Sequence, residues 1–333
     1  KADRFLIPNG ALRRPASFSA SRAFASPRLD ASYPSRPMSV PSSYIGRFAP
    51  TPSGYLHFGS LIAALASYLD ARAVGGRWLL RMENLDPPRE MPGAQTSILQ
   101  ALEAYGFQWD GQMVRQSERL DVYNEVIDHL RQDGHAYACT CSRKQLQAFA
   151  GLYPGFCREA ARDTTDAAIR LRVPDRNYSF SDRVQGQYSQ DLAREVGDFV
   201  IRRRDGLIAY QLAVVLDDAW QGVTDVVRGA DLLDSTPRQL FLQDLLGLPH
   251  PRYLHVPLII QPDGHKLGKR YRSPPLQPAE ATPLLLRALR ALGQSTPGEL
   301  NDALPAEVLT WATGHWNAER IPRCRTLAES QLR

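Results

Sequence analysis

Short apolar runs and longer helical stretches alternate along most of the chain. Tyr44–Ala49 is short and apolar enough for a buried parallel strand, Pro50, Pro52 and Gly54 forbid its continuation, and Leu61–Ala73 is an unbroken run of helix formers. The pattern predicts a strand near 45–49, a helix over 57–74, a strand over 77–82 and a helix over 92–105 that opens after Pro92. This βαβα start points to a parallel sheet. A helix at 118–132 precedes Gly134, and from about 135 to 190 the character changes. Cysteines, several tyrosines and glycines, and two strand-like pieces (Ala168–Val173 and Tyr178–Val184) suit an insertion between the halves of a doubly wound sheet. The α/β rhythm resumes with a strand at Asp198–Arg202, a helix at 209–217 and a strand at Val223–Val227. Thr236–Leu246 reads as a helix with Thr236 as N-cap, Pro237 at its first position and Gly247 at its end. Leu254–Ile260 is the last expected strand, followed by helices over 278–292, 297–304 and 305–316.

Residues 1–43 stand apart. They are rich in Ser, Ala, Pro and Arg and show no sustained apolar period, so disorder is expected. The composition imitates an organelle transit peptide, but a native start at Met38, with the rest lying upstream, is the blander reading. Domain boundaries are therefore expected at 1–43, at 44–275 with the insertion inside it, and at 276–333.

Composition narrows the class. At 333 residues and 43% hydrophobic content the chain has material for a sizeable core. No run of about 18 apolar residues exists, so no membrane span is expected. The net charge of +5 belongs to residues 1–44, which hold seven basic residues against two acidic ones and leave 33 of each sign from the totals of 40 and 35. Any nucleic-acid surface must then come from local patches, not from bulk charge. Three of the four cysteines cluster at Cys139, Cys141 and Cys157, which favours a metal or thiol site in a reducing compartment, hence the cytoplasm, over a disulfide framework.

Several stretches carry candidate chemistry. The turn after the first strand delivers His57 to a helix N-terminus, where unpaired N–H groups and the positive end of the dipole suit a phosphate, and Gly59 allows close backbone approach. Lys266 and Lys269 share one glycine-containing loop in a chain whose other lysines are only Lys1 and Lys144; a compact ammonium can follow a phosphate through a reaction, although a solvated basic loop is the plain alternative. Three close thiolates fit zinc, which takes four tetrahedral S or N ligands, with His135 or water as a fourth. Glu83 stands at the carboxyl end of the second strand, where open α/β sheets bind ligands and a carboxylate can hold an ammonium. Arg228 offers a fixed guanidinium suited to a carboxylate.

These stretches together resemble the class I aminoacyl-tRNA synthetases. His57-Phe58-Gly59-Ser60 stands where that class carries its HIGH tetrapeptide, within an Arg-Phe-Ala-Pro-Thr-Pro-Ser-Gly context like that of the glutamate branch, and Lys266-Leu-Gly-Lys269-Arg270 stands where it carries its KMSKS loop. Gly268 replaces a family Ser, and Asn84 a family Asp. The Pro-Pro-Arg-Glu-Met-Pro-Gly-Ala run from Pro87, and Val214 in place of Asn, are closer to the queuosine-directed branch than to ordinary glutamyl-tRNA synthetases.

The resemblance implies a class I synthetase fold, α/β with a Rossmann-type parallel sheet, an inserted zinc-containing subdomain and a small C-terminal helical region. It implies ATP-dependent, tRNA-independent activation of L-glutamate and its transfer to queuosine in the anticodon of tRNA(Asp), by a monomer using Mg²⁺ and Zn²⁺. By the same likeness His57, Lys266 and Lys269 are catalytic, and His57, Gly59 and Lys269 bind ATP. Arg47, Phe48, Ala49, Pro50, Thr51, Glu83, Tyr210 and Arg228 bind glutamate, Glu83 at the α-amino group and Arg228 at the γ-carboxylate. Tyr153 joins Cys139, Cys141 and Cys157 on zinc. A full glutamyl-tRNA synthetase would continue into an anticodon-binding domain, whereas this sequence stops at Arg333. A truncated glutamyl-tRNA synthetase, an inactive paralogue acting as a binding protein, and a related nucleotidylyltransferase are the alternatives.

Overall fold

A computed structural model describes residues 44–149, 152–160, 162–261, 267 and 274–332. The stretch 1–43 and the loop lysines Lys266 and Lys269 lie outside them.

The first half follows the hydrophobic pattern closely. β1 (Ile45–Phe48), α1 (Phe58–Arg72) and β2 (Arg77–Met82) form a βαβ unit, with β1 and β2 parallel in the register Ile45↔Arg77 to Phe48↔Leu80. Helix α1 is apolar nearly all round and is buried accordingly, with Leu61, Leu65 and Leu69 almost wholly excluded from solvent. α2 (Ala94–Ala104) leads to β3 (Val114–Arg115), which extends the sheet on the far side of β2, and α3 (Leu120–Gln132) follows.

Next come β4 (Ala136–Cys139), α4 (Arg143–Leu146), β5 (Ala168–Leu171), β6 (Asn177–Asp182), β7 (Gly186–Asp191), α5 (Leu192–Glu195) and β8 (Val200–Arg202). β4, β5 and β8 make a small antiparallel sheet. The β8 stretch, read in the sequence as the return of the α/β rhythm, thus pairs inside the inserted sheet. The hairpin β6–β7, read as insertion, is instead annexed by the parallel sheet. Its aromatics decide this, because Tyr178 packs on Phe241 at 5.8 Å and Phe180 on Tyr253 at 5.5 Å.

α6 (Tyr210–Trp220), β9 (Asp225–Gly229), α7 (Thr236–Leu246) and β10 (Arg252–Val256) form the second half, with β9 and β10 parallel and β6 beside β10. The halves meet where the Thr224 N–H donates to the Ile45 carbonyl at 2.9 Å and the Ile45 N–H to Thr224 Oγ1 at 2.9 Å. The carboxyl ends of β1 and β9 consequently open into one crevice, the position at which doubly wound sheets bind ligands.

Four details depart from the sequence reading. Thr236 is the first helical residue of α7 and not its N-cap, which is Ser235, because the Thr236 hydroxyl is engaged by Arg228. Gly247 ends that helix as expected, at φ 64°. The expected strand 254–260 breaks at Pro257, which lacks an N–H for the ladder. β11 (Leu258–Ile260) then leaves β10 and pairs in parallel with β12 (Thr326–Ala328), a strand within the C-terminal piece that had been read as helical. That piece contributes α8 (Ala281–Ala291) and α9 (Pro305–His315), with a 3₁₀ turn over Gly298–Asp302 where a helix was expected.

α8 and α9 share one hydrophobic core with α1 and the β1–β2 sheet. Buried Asp70 of α1 ties the parts together, accepting hydrogen bonds from Tyr44 Oη, from two Arg183 nitrogens and, at 3.1 Å, from Trp316 Nε1.

Candidate active site and metal centre

The crevice at the carboxyl ends of β1 and β9 holds a cleft of about 490 Å³. Arg47, Phe48, Ala49, Pro50, Thr51, His57, Gly59, Glu83, Tyr210 and Arg228 all line it, together with Leu267, the described residue of the lysine loop. Every described residue singled out from the sequence for substrate or ATP is thus brought to one cavity.

His57 is the N-cap of α1, its backbone extended and its Nδ1 accepting the Ser60 N–H at 3.3 Å. That arrangement fixes the imidazole at the positive end of the helix, beside Gly59 and Ser60, which line the cleft. Gly59 is needed where it stands: a Cβ there would lie 3.2 Å from the His57 ring and 3.4 Å from the Leu267 carbonyl oxygen. Leu267 is pegged by its own N–H to the Ile259 carbonyl at 2.8 Å, which ties this residue to β11.

The polar floor is a network that the sequence reading did not identify. Two adjacent buried acids of α6, Asp217 and Asp218, hold it. Asp218 accepts from Arg47 Nε at 3.2 Å and from Arg81 Nη2 at 2.8 Å. Asp217 accepts from Gln116 Nε2 at 2.8 Å, Arg119 Nε at 2.7 Å and Tyr123 Oη at 2.7 Å. Burial would raise the Asp218 carboxyl, but Arg47 and Arg81 hold it below the usual carboxylate range. Glu83 lies 3.5 Å from Arg81 Nη2, and its main-chain N–H is tied to the Pro50 carbonyl. Burial pushes its carboxyl up to about 7, with Arg81 and Arg47 only partly opposing. Asn84 turns away: it donates to Ser117 Oγ at 2.7 Å and accepts the Ser117 N–H at 3.0 Å, a structural clasp.

Arg228 differs from Arg47 and Arg81. Its Nε donates to His255 Nε2 at 3.0 Å, Nη1 to Tyr210 Oη at 3.3 Å, and Nη2 to Thr236 Oγ1 at 2.9 Å and the Leu232 carbonyl at 3.3 Å. All four acceptors are uncharged, and no acid forms an ion pair with Arg228 among the described residues. Behind it, His255 Nδ1 stands 2.6 Å from Asp182 Oδ2, both side chains wholly buried. Burial raises the Tyr210 phenol, so its hydroxyl keeps a hydrogen to donate. Asp182 ends a strand that also holds Asn177, Ser179 and Ser181, and His255 shares its strand with Arg252, so neither stands out in the sequence.

The second site lies in the inserted sheet. The sulfurs of Cys139, Cys141 and Cys157 gather within 4.8 Å of one another, and no histidine joins them among the described residues. The Tyr153 oxygen completes the group, 3.3 Å from Cys139 Sγ and 3.8 Å from Cys141 Sγ, with Cys141 and Cys157 sulfurs 3.6 Å apart. A zinc ion with Zn–S near 2.3 Å and Zn–O near 2.0 Å would set these separations at about 3.5 Å for O···S and about 3.8 Å for S···S, so the donor set fits. Arg170 lays its guanidinium 3.9 Å over the Tyr153 ring and donates from Nε to Cys139 Sγ at 3.3 Å, which offsets the anionic charge of such ligands. Burial holds the Tyr153 phenol well above its ordinary range, so only a cation beside it would draw out the phenolate.

The description "tRNA synthetases class I (E and Q), catalytic domain" matches residues 45–151 and 155–279. The glutamyl-Q tRNA(Asp) synthetase of Ectopseudomonas mendocina (strain ymp) is 76% identical over 292 residues, covering 88% of this chain and 99% of its own length. The protein of the same name from Pseudomonas aeruginosa (strain PAO1) is 72% identical over 291 residues, covering 87% and 99%. Among solved structures, a glutamate tRNA ligase from Elizabethkingia meningosepticum CCUG26117 in complex with its amino acid superimposes with a TM-score of 0.71 at 23% identity, over 86% of this chain and 67% of that one, a likeness of fold. Among the described residues no helix is long and apolar enough to cross a membrane.

Proposed function

Because the chain belongs to the glutamate and glutamine family of class I tRNA synthetases, and within it to the glutamyl-Q tRNA(Asp) synthetases, we propose that its cleft activates L-glutamate with ATP, without tRNA, and passes the glutamyl group to queuosine in the anticodon of tRNA(Asp). The observation that carries the amino-acid half is Arg228, a buried cation whose partners among the described residues are all uncharged. Four of its five N–H groups are engaged, so one Nη1 hydrogen remains, beside the Tyr210 hydroxyl hydrogen. These two donors, one charged, receive the γ-carboxylate in place of a two-pronged guanidinium fork. Glu83 across the cleft holds the α-ammonium.

The α-carboxylate then attacks the α-phosphorus of ATP in line, a P–O bond forms as the bond to pyrophosphate breaks, and glutamyl-adenylate results. A hydroxyl of the queuosine cyclopentenediol attacks the activated carbonyl and AMP leaves. This chemistry needs positioning and charge neutralisation more than a nucleophilic side chain. His57 and the N-terminus of α1 take the phosphates, and Lys266 and Lys269, sequence neighbours of Leu267, add positive charge to neutralise them. Mg²⁺ carried in with ATP supplies further neutralisation.

Zinc bound by Cys139, Cys141, Cys157 and Tyr153 staples the insertion, whose own apolar cluster is small. The protein works as a monomer in the cytoplasm, where its thiols stay reduced.

The test is incubation with ATP and labelled glutamate, in separate reactions with tRNA(Asp) carrying queuosine, tRNA(Asp) lacking it, and tRNA(Glu). Label is expected on queuosine-containing tRNA(Asp) alone, with glutamate-dependent pyrophosphate exchange in the absence of any tRNA. Label on tRNA(Glu) would overturn the reading in favour of a truncated glutamyl-tRNA synthetase, and absence of exchange would leave a binding protein.

A further inference from the structure

We infer that His255, held by Asp182 in the tautomer with its proton on Nδ1, is the positioning residue that aims Arg228 at the substrate's γ-carboxylate while leaving the guanidinium charge available to it. The inference rests on the reading of Arg228 given above.

Strand pairing brings the three residues into line. His255 on β10 and Arg228 on β9 are register partners, so their side chains lie side by side, and β6 joins the other edge of β10 with Asp182 opposite Tyr253. A guanidinium has no acceptor, so the 3.0 Å contact from Arg228 Nε requires a lone pair on His255 Nε2. The imidazole proton is therefore on Nδ1, where it meets Asp182 Oδ2 at 2.6 Å. Both contacts select the same tautomer independently. Asp182 is itself fixed, because its Oδ1 accepts the N–H groups of Val184 at 3.0 Å, Gln185 at 2.8 Å and His255 at 3.2 Å.

The electrostatics agree with the geometry. Burial, with the positive charge of Arg228, lowers His255 to about 4, so the ring is neutral at physiological pH. Burial would raise Asp182, but the hydrogen bond from His255 and those from the Gln185 and Val184 N–H groups hold it below the usual carboxylate range. A carboxylate placed directly on Arg228 would cancel its charge and compete with the substrate's own. The neutral imidazole instead fixes Nε in direction while keeping the anion of Asp182 one ring away. Arg47, with Asp218 at 3.2 Å, shows the other arrangement within the same cleft.

The discriminating variant is Asp182→Asn. Its Oδ1 still accepts the three backbone N–H groups, which puts the amide nitrogen toward His255 Nδ1. The imidazole proton must then move to Nε2, where it opposes the Arg228 Nε–H. In pyrophosphate exchange with the full chain, run with and without tRNA(Asp), the KM for glutamate should rise about 10- to 100-fold while kcat and the KM for ATP change less than about threefold. Preference for glutamate over glutamine should fall by the same factor. Gln has no tautomer, and its amide oxygen accepts from Arg228, so the double variant Asp182→Asn/His255→Gln should recover most of the lost preference, a rescue that a purely structural role for Asp182 would not give. Imidazole ¹⁵N shifts should report Nδ1–H in the wild type and Nε2–H in Asp182→Asn. Should that variant fail to fold, the wild-type spectrum still decides, since an Nε2–H tautomer or an imidazolium there overturns the inference. An unchanged glutamate preference in folded Asp182→Asn overturns it as well. Arg228→Leu separates the two levels: if it too leaves the preference intact, the γ-carboxylate reading falls and takes this inference with it; if it alone abolishes the preference, only the relay falls.

Discussion

If Glu83 holds the α-ammonium of glutamate, acidification should weaken substrate capture in a way that can be worked out beforehand. Burial raises its carboxyl from 4.5 to about 7 in the empty cleft. With that value about a tenth of the molecules carry an ionised Glu83 at pH 6 and about nine-tenths at pH 8, so kcat/KM for glutamate should climb roughly tenfold across that interval. kcat should titrate much less, because bound ammonium stabilises the carboxylate and draws its pKa down. The sign separates this from unfolding. A carboxyl whose folded pKa is raised stabilises the fold fully below its unfolded value of 4.5 and loses that contribution as pH rises through about 7, the opposite direction to the activity. Glu83→Gln should flatten the profile and lower its upper plateau by about 10- to 150-fold, the equivalent of a charge-assisted contact of about 1.5–3 kcal/mol. Titrations of other groups persist in the variant, so the difference between the two profiles belongs to Glu83. Pyrophosphate exchange from pH 6 to 8 measures both. A wild-type kcat/KM independent of pH, or the same slope in Glu83→Gln, would refute the assignment.

Two further outcomes are expected. Freshly purified, chelator-free protein should contain about one zinc per chain by elemental analysis, and Cys141→Ser should release it and loosen the insertion while glutamate activation partly survives; metal-free wild-type protein would remove the zinc assignment. Asp70→Ala deprives Tyr44, Arg183 and Trp316 of their common acceptor, and because water can reach the half-exposed Arg183 the loss of stability should be about 1.5–3 kcal/mol in urea titrations, against less than about 1 kcal/mol if those contacts are idle.

The parts legible in the sequence are those with local punctuation. β2 has the boundaries expected and α7 the expected end, because Gly75–Gly76 and Gly247 break the chain chemically at those points. The inserted sheet was harder, since membership is settled by partners far away: β8 goes to β5, and β6 goes to β10 through packing of Phe180 and Tyr178 that no local pattern encodes. β12 escaped for the same reason, its three residues becoming a strand only because Pro257 detaches β11 from β10. The candidate cleft was legible through resemblance at its rim, in Arg47 to Thr51, His57, Glu83, Tyr210 and Arg228. Its support was not. Asp217 and Asp218 were visible as a pair, but their work of restraining Arg47, Arg81 and Arg119 appears only once α6 turns them inward, and Asp182 with His255 needs three strands assembled.

The pairing of β11 with β12 makes Thr326–Ala328 a support for the cleft wall formed by Leu258, Ile259 and Leu267. Ile259 gives its carbonyl to Leu267 while its strand is flanked by Leu327, so the anchor of Leu267 is backed from outside by residues some seventy positions later. Clipping the polypeptide ahead of Thr326 would therefore bare an adhesive strand edge and loosen the anchor of Leu267, while Arg228 kept its own partners His255, Tyr210 and Thr236. Proteolysis or a bulky fusion at the carboxyl terminus should accordingly register first as a weakened grip on ATP.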